Sequence, residues 1–71
     1  MPTELVRRLA VLLVADLPGP VIHYQLAADG YTEAQIMEAW TQARSEGYTE
    51  STGLGRDRLT DLGRHLGRAG G

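Results

Sequence analysis

The sequence predicts a mainly α-helical domain with one small β-hairpin. Three observations lead there. Apolar residues recur at three- and four-residue spacings through the first two thirds of the chain, a capping-box pattern stands at Thr32 and Gln35, and after Gly47 the composition turns to β-formers.

An opening helix is expected over residues 3–17, where turning at 100° per residue gathers Val6, Leu9, Ala10, Leu13 and Leu17 on one face. Leu5 and Leu12 widen the apolar arc to about 200°, beyond the ~100° stripe that a one-sided surface helix needs. Such a helix is either sandwiched centrally or gives part of its face to a second copy, which makes Leu5 and Leu12 candidates for protein contact. Leu17-Pro18-Gly19-Pro20 must break it, because proline removes a donor and clashes with the preceding turn, while Pro20 suits the start of a new helix.

A short second helix over residues 20–28 turns Ile22 and Leu26 inward and ends at Asp29-Gly30. Thr32 and Gln35 then start a third helix by reciprocal capping, with Ile36, Trp40 and Ala43 as its buried line and Gly47 as its stop. Tyr24 and Tyr31 bracket the turn and are expected to pack there with hydroxyls outward. Residues 48–52 read as a strand, Gly53-Leu54-Gly55 as a loop tip, and residues 56–59 as the returning strand. Thr60 caps a last helix that holds Leu62 and Leu66 and frays near Gly67. The folded domain is thus expected over residues 1–67, followed by a flexible tail, 68–71.

Seventy-one residues suffice for one small domain, which buries only ~60% of the surface its unfolded chain exposes. Domains of this size usually recruit a disulfide, a metal or a partner subunit. With no cysteine the first is excluded, and His23 and His65 alone cannot complete a tetrahedral zinc site, so no metal or other cofactor is expected. Self-association remains, and a homodimer is the expectation. The longest apolar run, residues 9–15, falls far short of the ~20 residues that span a bilayer. Arg7 and Arg8 ahead of it faintly mimic a signal peptide, but Asp16 follows at once, and a cytoplasmic protein is expected.

Chemistry-bearing constellations are scarce. There is no Ser, His and Asp grouping in a nucleophile setting and no glycine-rich phosphate cradle after a strand, so no enzyme is expected. His23 has no ligand-spaced partner and reads as a solvated or hydrogen-bonded side chain. Trp40 reads as core rather than as a stacking platform. The terminal Gly70-Gly71 matches the diglycine of ubiquitin-like modifiers, but those are strand-rich where this chain opens with helices.

The joins between elements carry a more specific signal. Ala43, Gly47 and Tyr48 follow a hydrophobe, glycine and strand order; Arg58-Leu59-Thr60-Asp61-Leu62-Gly63-Arg64 has the form strand, Leu-Thr, two residues, Gly-Arg; and Leu26-Ala27 with Gly30 marks a helical turn upstream. Together they cover nearly the whole chain and resemble the winged helix-turn-helix superfamily, in particular small regulators of bacteria and phages. One departure is that Ala27 and Gly30 stand three apart where the commonest form has four, which would alter the angle between the two helices.

The resemblance implies double-stranded DNA as partner and a role in transcription regulation or DNA architecture. The third helix, about residues 32–46, would enter a major groove and a wing, about residues 48–59, would reach the flanking backbone. Carried onto this chain, the candidate base contacts are Thr32, Glu33, Gln35, Glu38, Thr41 and Gln42, the glutamines suiting adenine and a glutamate cytosine N4. Arg44, Arg56 and Arg58 are the candidate phosphate contacts. Any solvated helix, however, shows polar residues on its outer face.

Charge weighs against DNA. The net charge is −2, with nine acids against seven arginines and no lysine, and Glu33 and Glu38 oppose phosphate on the reading helix itself. Residues 1–50 hold three arginines against seven acids, and residues 51–71 four against two, so the basic half is the wing half. The alternative is an interaction module that no longer binds DNA and holds a protein through the acidic third helix or through Leu54 at the wing tip.

Overall fold

The computed structural model describes residues 3–52 and 57–70, in the order α1 (Glu4–Val14), α2 (Gly19–Ala28), α3 (Glu33–Ser45), β1 (Thr49–Ser51), β2 (Asp57–Leu59) and α4 (Asp61–Gly70). The mainly helical architecture with one antiparallel hairpin agrees with the sequence. Thr49 pairs with Leu59, Glu50 with Arg58 and Ser51 with Asp57.

Starts and stops of the helices have identifiable causes. Thr3 caps α1 by accepting from the Val6 N–H at 3.2 Å. Helix α3 opens with the expected capping box: the Thr32 hydroxyl accepts from the Gln35 N–H at 3.1 Å, and Gln35 Oε1 accepts from the Thr32 N–H at 2.8 Å. The first three helices all end in the same paired hydrogen bonds, with a left-handed residue one position beyond the cap. Asp16, Gly30 and Gly47 hold those positions, at φ of 61°, 99° and 82°. Their N–H groups donate to the carbonyls of Leu13, Ala27 and Arg44, and the following residues, Leu17, Tyr31 and Tyr48, donate to Leu12, Leu26 and Ala43. Each of those three following side chains packs back on the core.

This corrects the expected end of the opening helix. The turn at Asp16 stops it at Val14, ahead of the prolines, and the second helix already begins at Gly19 with Pro20 in its first turn.

Helix α1 is the centre of the molecule. It packs against α4 most extensively and also against α3, α2 and β2. Val6, Leu9 and Ala10 are buried, and so is Leu12, which the core uses instead of leaving it for a partner; Leu5, Leu13 and Leu17 are half-buried around it. Of the two explanations for the wide apolar arc, central placement accounts for Leu12. From α2, Ile22 and Leu26 are fully buried as expected, and from α3, Ile36 and Ala43. Trp40 is half-buried at the core edge, and Ala39 takes the inner place. Tyr24 is exposed and does not pack on the turn; Leu62 is exposed as well.

Helix α4 continues through Gly67 to Gly70, so the expected fraying and the tail from residue 68 are replaced by helix as far as residue 70. Gly63 and Gly67 make this possible by allowing close approach. A Cβ at Gly63 would overlap the Tyr48 carbonyl oxygen, and one at Gly67 would lie 2.7 Å from the Ala10 carbonyl oxygen. Thr60 joins hairpin to helix. Its N–H donates to the Tyr48 carbonyl at 3.0 Å, its hydroxyl donates to the Gly47 carbonyl at 2.6 Å, and the same oxygen accepts the Gly63 N–H at 3.1 Å.

Candidate nucleic-acid interface

The buried line Ile36, Ala39 and Ala43 fixes how α3 is rotated. Directly opposite it, Ala34, Glu38, Thr41 and Ser45 form an exposed crest at spacings of four, three and four, flanked by Met37. The sequence-predicted readers Thr32, Glu33, Gln35, Glu38 and Thr41 are all exposed, and Gln42 is half-buried. They do not share one face. Glu38 and Thr41 stand on the crest, whereas Gln35 and Gln42 lie along its flank toward the core.

Three of those side chains already have local work, the first being the Thr32 hydroxyl, which caps the helix. Gln35 uses its carbonyl oxygen in the capping box, which removes half of the donor and acceptor pair that adenine requires. The Thr41 hydroxyl donates to the Met37 carbonyl at 3.1 Å, as threonine commonly does inside a helix. Ala34 and Met37 escape a reading that looks for polar readers, and Ser45 lies beyond the expected ones, which end at Gln42. Their signal is the register alone, since residues 34, 38, 41 and 45 trace one line along a helix.

The hairpin leaves α3 through the Gly47 turn and is latched to it. Arg44 Nη2 donates to both carboxylate oxygens of Asp57 in β2, at 2.8 and 2.9 Å, and the Asp57 side chain is only 9% exposed. Arg58 pairs at 2.6 Å with Glu50, its direct cross-strand neighbour. Arg64 pairs with Asp61, and Arg8 with Asp29 at 3.4 Å. Among the described residues, Arg7 and Arg68 have no ion-pair partner. Two of the three expected phosphate contacts are therefore engaged within the chain. The third, Arg56, lies outside the described residues, as does Leu54.

These pairs differ in how firmly they hold. Exposed ion pairs are worth about 0–1 kcal/mol, so the Arg58–Glu50 pair exchanges for a phosphate at little cost. The Arg44–Asp57 pair, with its acid half shielded from water, is the more persistent contact.

Beside α3 runs an open groove of roughly 1180 Å³. The turn between α1 and α2 forms one wall, β2 and α4 the other. Leu13, Leu17, Met37 and Trp40 supply apolar lining, and Arg44, Arg58, Arg64 and Arg68 stand along it. Among the described residues no group of three or more His, Cys, Asp and Glu side chains is placed to hold a metal ion, and no helix is long and apolar enough to cross a membrane.

No family model matches this sequence, and neither a curated protein nor a solved structure is significantly similar to it.

Proposed function

We propose that this chain is a DNA-binding module of winged helix-turn-helix type, a cytoplasmic regulator or DNA-architecture factor that reads a duplex with α3 and braces it with the hairpin. The observation that carries the proposal is the exposed α3 crest, followed immediately by a hairpin latched to the same helix through Arg44 and Asp57. A helix used as a reader needs an unobstructed outer face and a fixed pose, and this arrangement supplies both. Small crest residues such as Ala34, Thr41 and Ser45 allow close approach to base edges, where alanine and the threonine methyl suit the thymine methyl and Glu38 suits cytosine N4. Arg58 and Arg56 take the flanking phosphates, while Arg44 stays with Asp57 and holds the hairpin against the helix. Two copies on a two-fold site would stand about 34 Å apart, one turn of the duplex.

Fluorescence anisotropy with a labelled duplex of about 20 base pairs, titrated between roughly 20 and 300 mM salt, tests this. Two arginine–phosphate contacts per protomer predict a log–log slope of about −2. Absence of binding at the lowest salt contradicts it.

A second reading is favoured by a separate observation. Arg44 and Arg58 are already neutralised, and Glu33 and Glu38 are exposed on α3, so the same surface suits a protein partner. Charge reversal separates the two. With Glu33→Lys and Glu38→Lys together, sequence-independent DNA affinity rises about tenfold or more on the DNA reading, because two repulsions become attractions, while the preference at the cytosine met by Glu38 is lost. On the protein reading the same pair of changes abolishes capture of a stoichiometric partner.

A further inference from the structure

We propose that the groove between the α1–α2 turn, α3, β2 and α4 is a docking site for an acidic amphipathic helix of a partner protein. The inference does not rest on the DNA reading, although the two share Arg58. It uses the side of α3 that carries Met37, Trp40 and Arg44, and of the crest only Thr41.

Its floor is apolar and in part still open to water. Met37 is 60% exposed and Val14 39%, and the half-buried Trp40, Leu13 and Leu17 lie beside them. A duplex, broad and polar-surfaced, would touch the arginine rims and leave that floor unused. A single helix, about 10 Å across, can reach it. The whole molecule measures 28 × 28 × 20 Å, enough for roughly three turns of a docked helix at 5.4 Å each.

Charge selects the occupant. Arg44 and Asp57 cancel one another, which leaves Arg58, Arg64 and Arg68 on the rim against Asp16. The acids that pair with Arg58 and Arg64 are Glu50 and Asp61, and neither lines the groove. Their side chains are 48% and 98% exposed, so both arginines can turn to a carboxylate across the groove at small cost. Arg68 has no ion-pair partner among the described residues. Arg64 and Arg68 lie one turn apart on α4 and present a paired rim to carboxylates spaced the same way. The chemistry recognised is therefore leucine-like side chains along one helix face with glutamates beside them, the mode of a helix laid in a groove.

Trp40 is the single tryptophan and lines the site, so its emission reports occupancy directly. The full chain is titrated with a synthetic peptide of about four turns that carries leucines at i, i+3, i+4 and i+7 and glutamates elsewhere. A lysine-substituted twin and a leucine-free glutamate peptide serve as comparisons. The proposal predicts a saturable blue shift with the glutamate–leucine peptide, and binding about tenfold or more weaker for each comparison peptide. Arg64→Glu with Arg68→Glu, and separately Met37→Asp, weaken it by a similar factor while the far-ultraviolet circular dichroism of each variant stays unchanged; all three positions are exposed. Equal binding of the lysine and glutamate peptides overturns the proposal, as does a flat emission up to millimolar peptide. A shift that grows with protein concentration alone, together with a dimer mass, assigns the groove to a second copy and overturns it too. No DNA is present in this experiment and no peptide in the salt titration, so failure of one leaves the other standing.

Discussion

At the scale of single residues, two positions in the fold oppose their local environment. Asp16 occupies a left-handed backbone position, which costs a non-glycine residue about 1–2 kcal/mol, although aspartate tolerates it better than most. Asp16→Gly should therefore raise stability by about 1 kcal/mol, read as a higher urea midpoint with an unchanged slope. Thr49 is 3% exposed, and its hydroxyl oxygen is the buried side-chain polar atom without a hydrogen-bond partner among the described residues. Thr49→Val replaces the hydroxyl by a methyl of similar shape and should stabilise by about 1 kcal/mol in the same assay. Neither position was legible in the sequence. An aspartate ahead of Leu-Pro-Gly-Pro gives no sign that the helix has already ended, and a threonine beside Tyr48 reads as an ordinary β-former.

At the scale of elements, α4 is held by what its glycines lack. Helix propensity alone says that alanine at Gly63 or Gly67 would stabilise the helix by about 1 kcal/mol. Contact says the reverse. At Gly63 the added methyl meets the Tyr48 carbonyl, and at Gly67 it meets Val14 and the Ala10 carbonyl, so each substitution should cost about 2 kcal/mol or more, measured by thermal unfolding. Loss of the cap in Thr60→Ala should cost a further 1–2 kcal/mol or about that, since its hydroxyl also ties the hairpin base to α4.

Elements whose signals are local were readable in the sequence. The capping box at Thr32 and Gln35, the stops at Gly30 and Gly47, and the inward pair Ile22 and Leu26 each depend on residues within one or two turns. The full length of α4 was not, because Gly67 looks like a helix stop until α1 is placed against it. The same limit applies to Ala39 and Trp40. Side-chain size points to the indole as core, while the helix turns Ala39 inward and leaves Trp40 at the core edge.

At the scale of the whole molecule, charge is arranged so that acids of the hairpin silence neighbouring arginines. Asp57 takes up Arg44 of α3 and Glu50 takes up Arg58, so the arginines nearest the reading helix are less basic in space than in sequence. Removing the carboxylate beside Arg58 by Glu50→Gln should strengthen duplex binding several-fold at low salt, with little change in stability, since both groups are exposed. The candidate site was legible to a similar degree. The exposed outer face of α3 follows from its period, but the internal neutralisation of Arg44 and Arg58 depends on strand register. The groove depends on where α4 lies, which no local pattern encodes. The central claim is that α3 and the hairpin meet DNA as one surface. Its most direct test is a map of backbone amide shifts as a duplex of about 20 base pairs is added at low salt, where non-specific contacts persist. Largest displacements at Ala34, Glu38, Thr41, Ser45 and Arg58 are predicted; unmoved amides along α3, or displacements confined to α1 and α2, would contradict it.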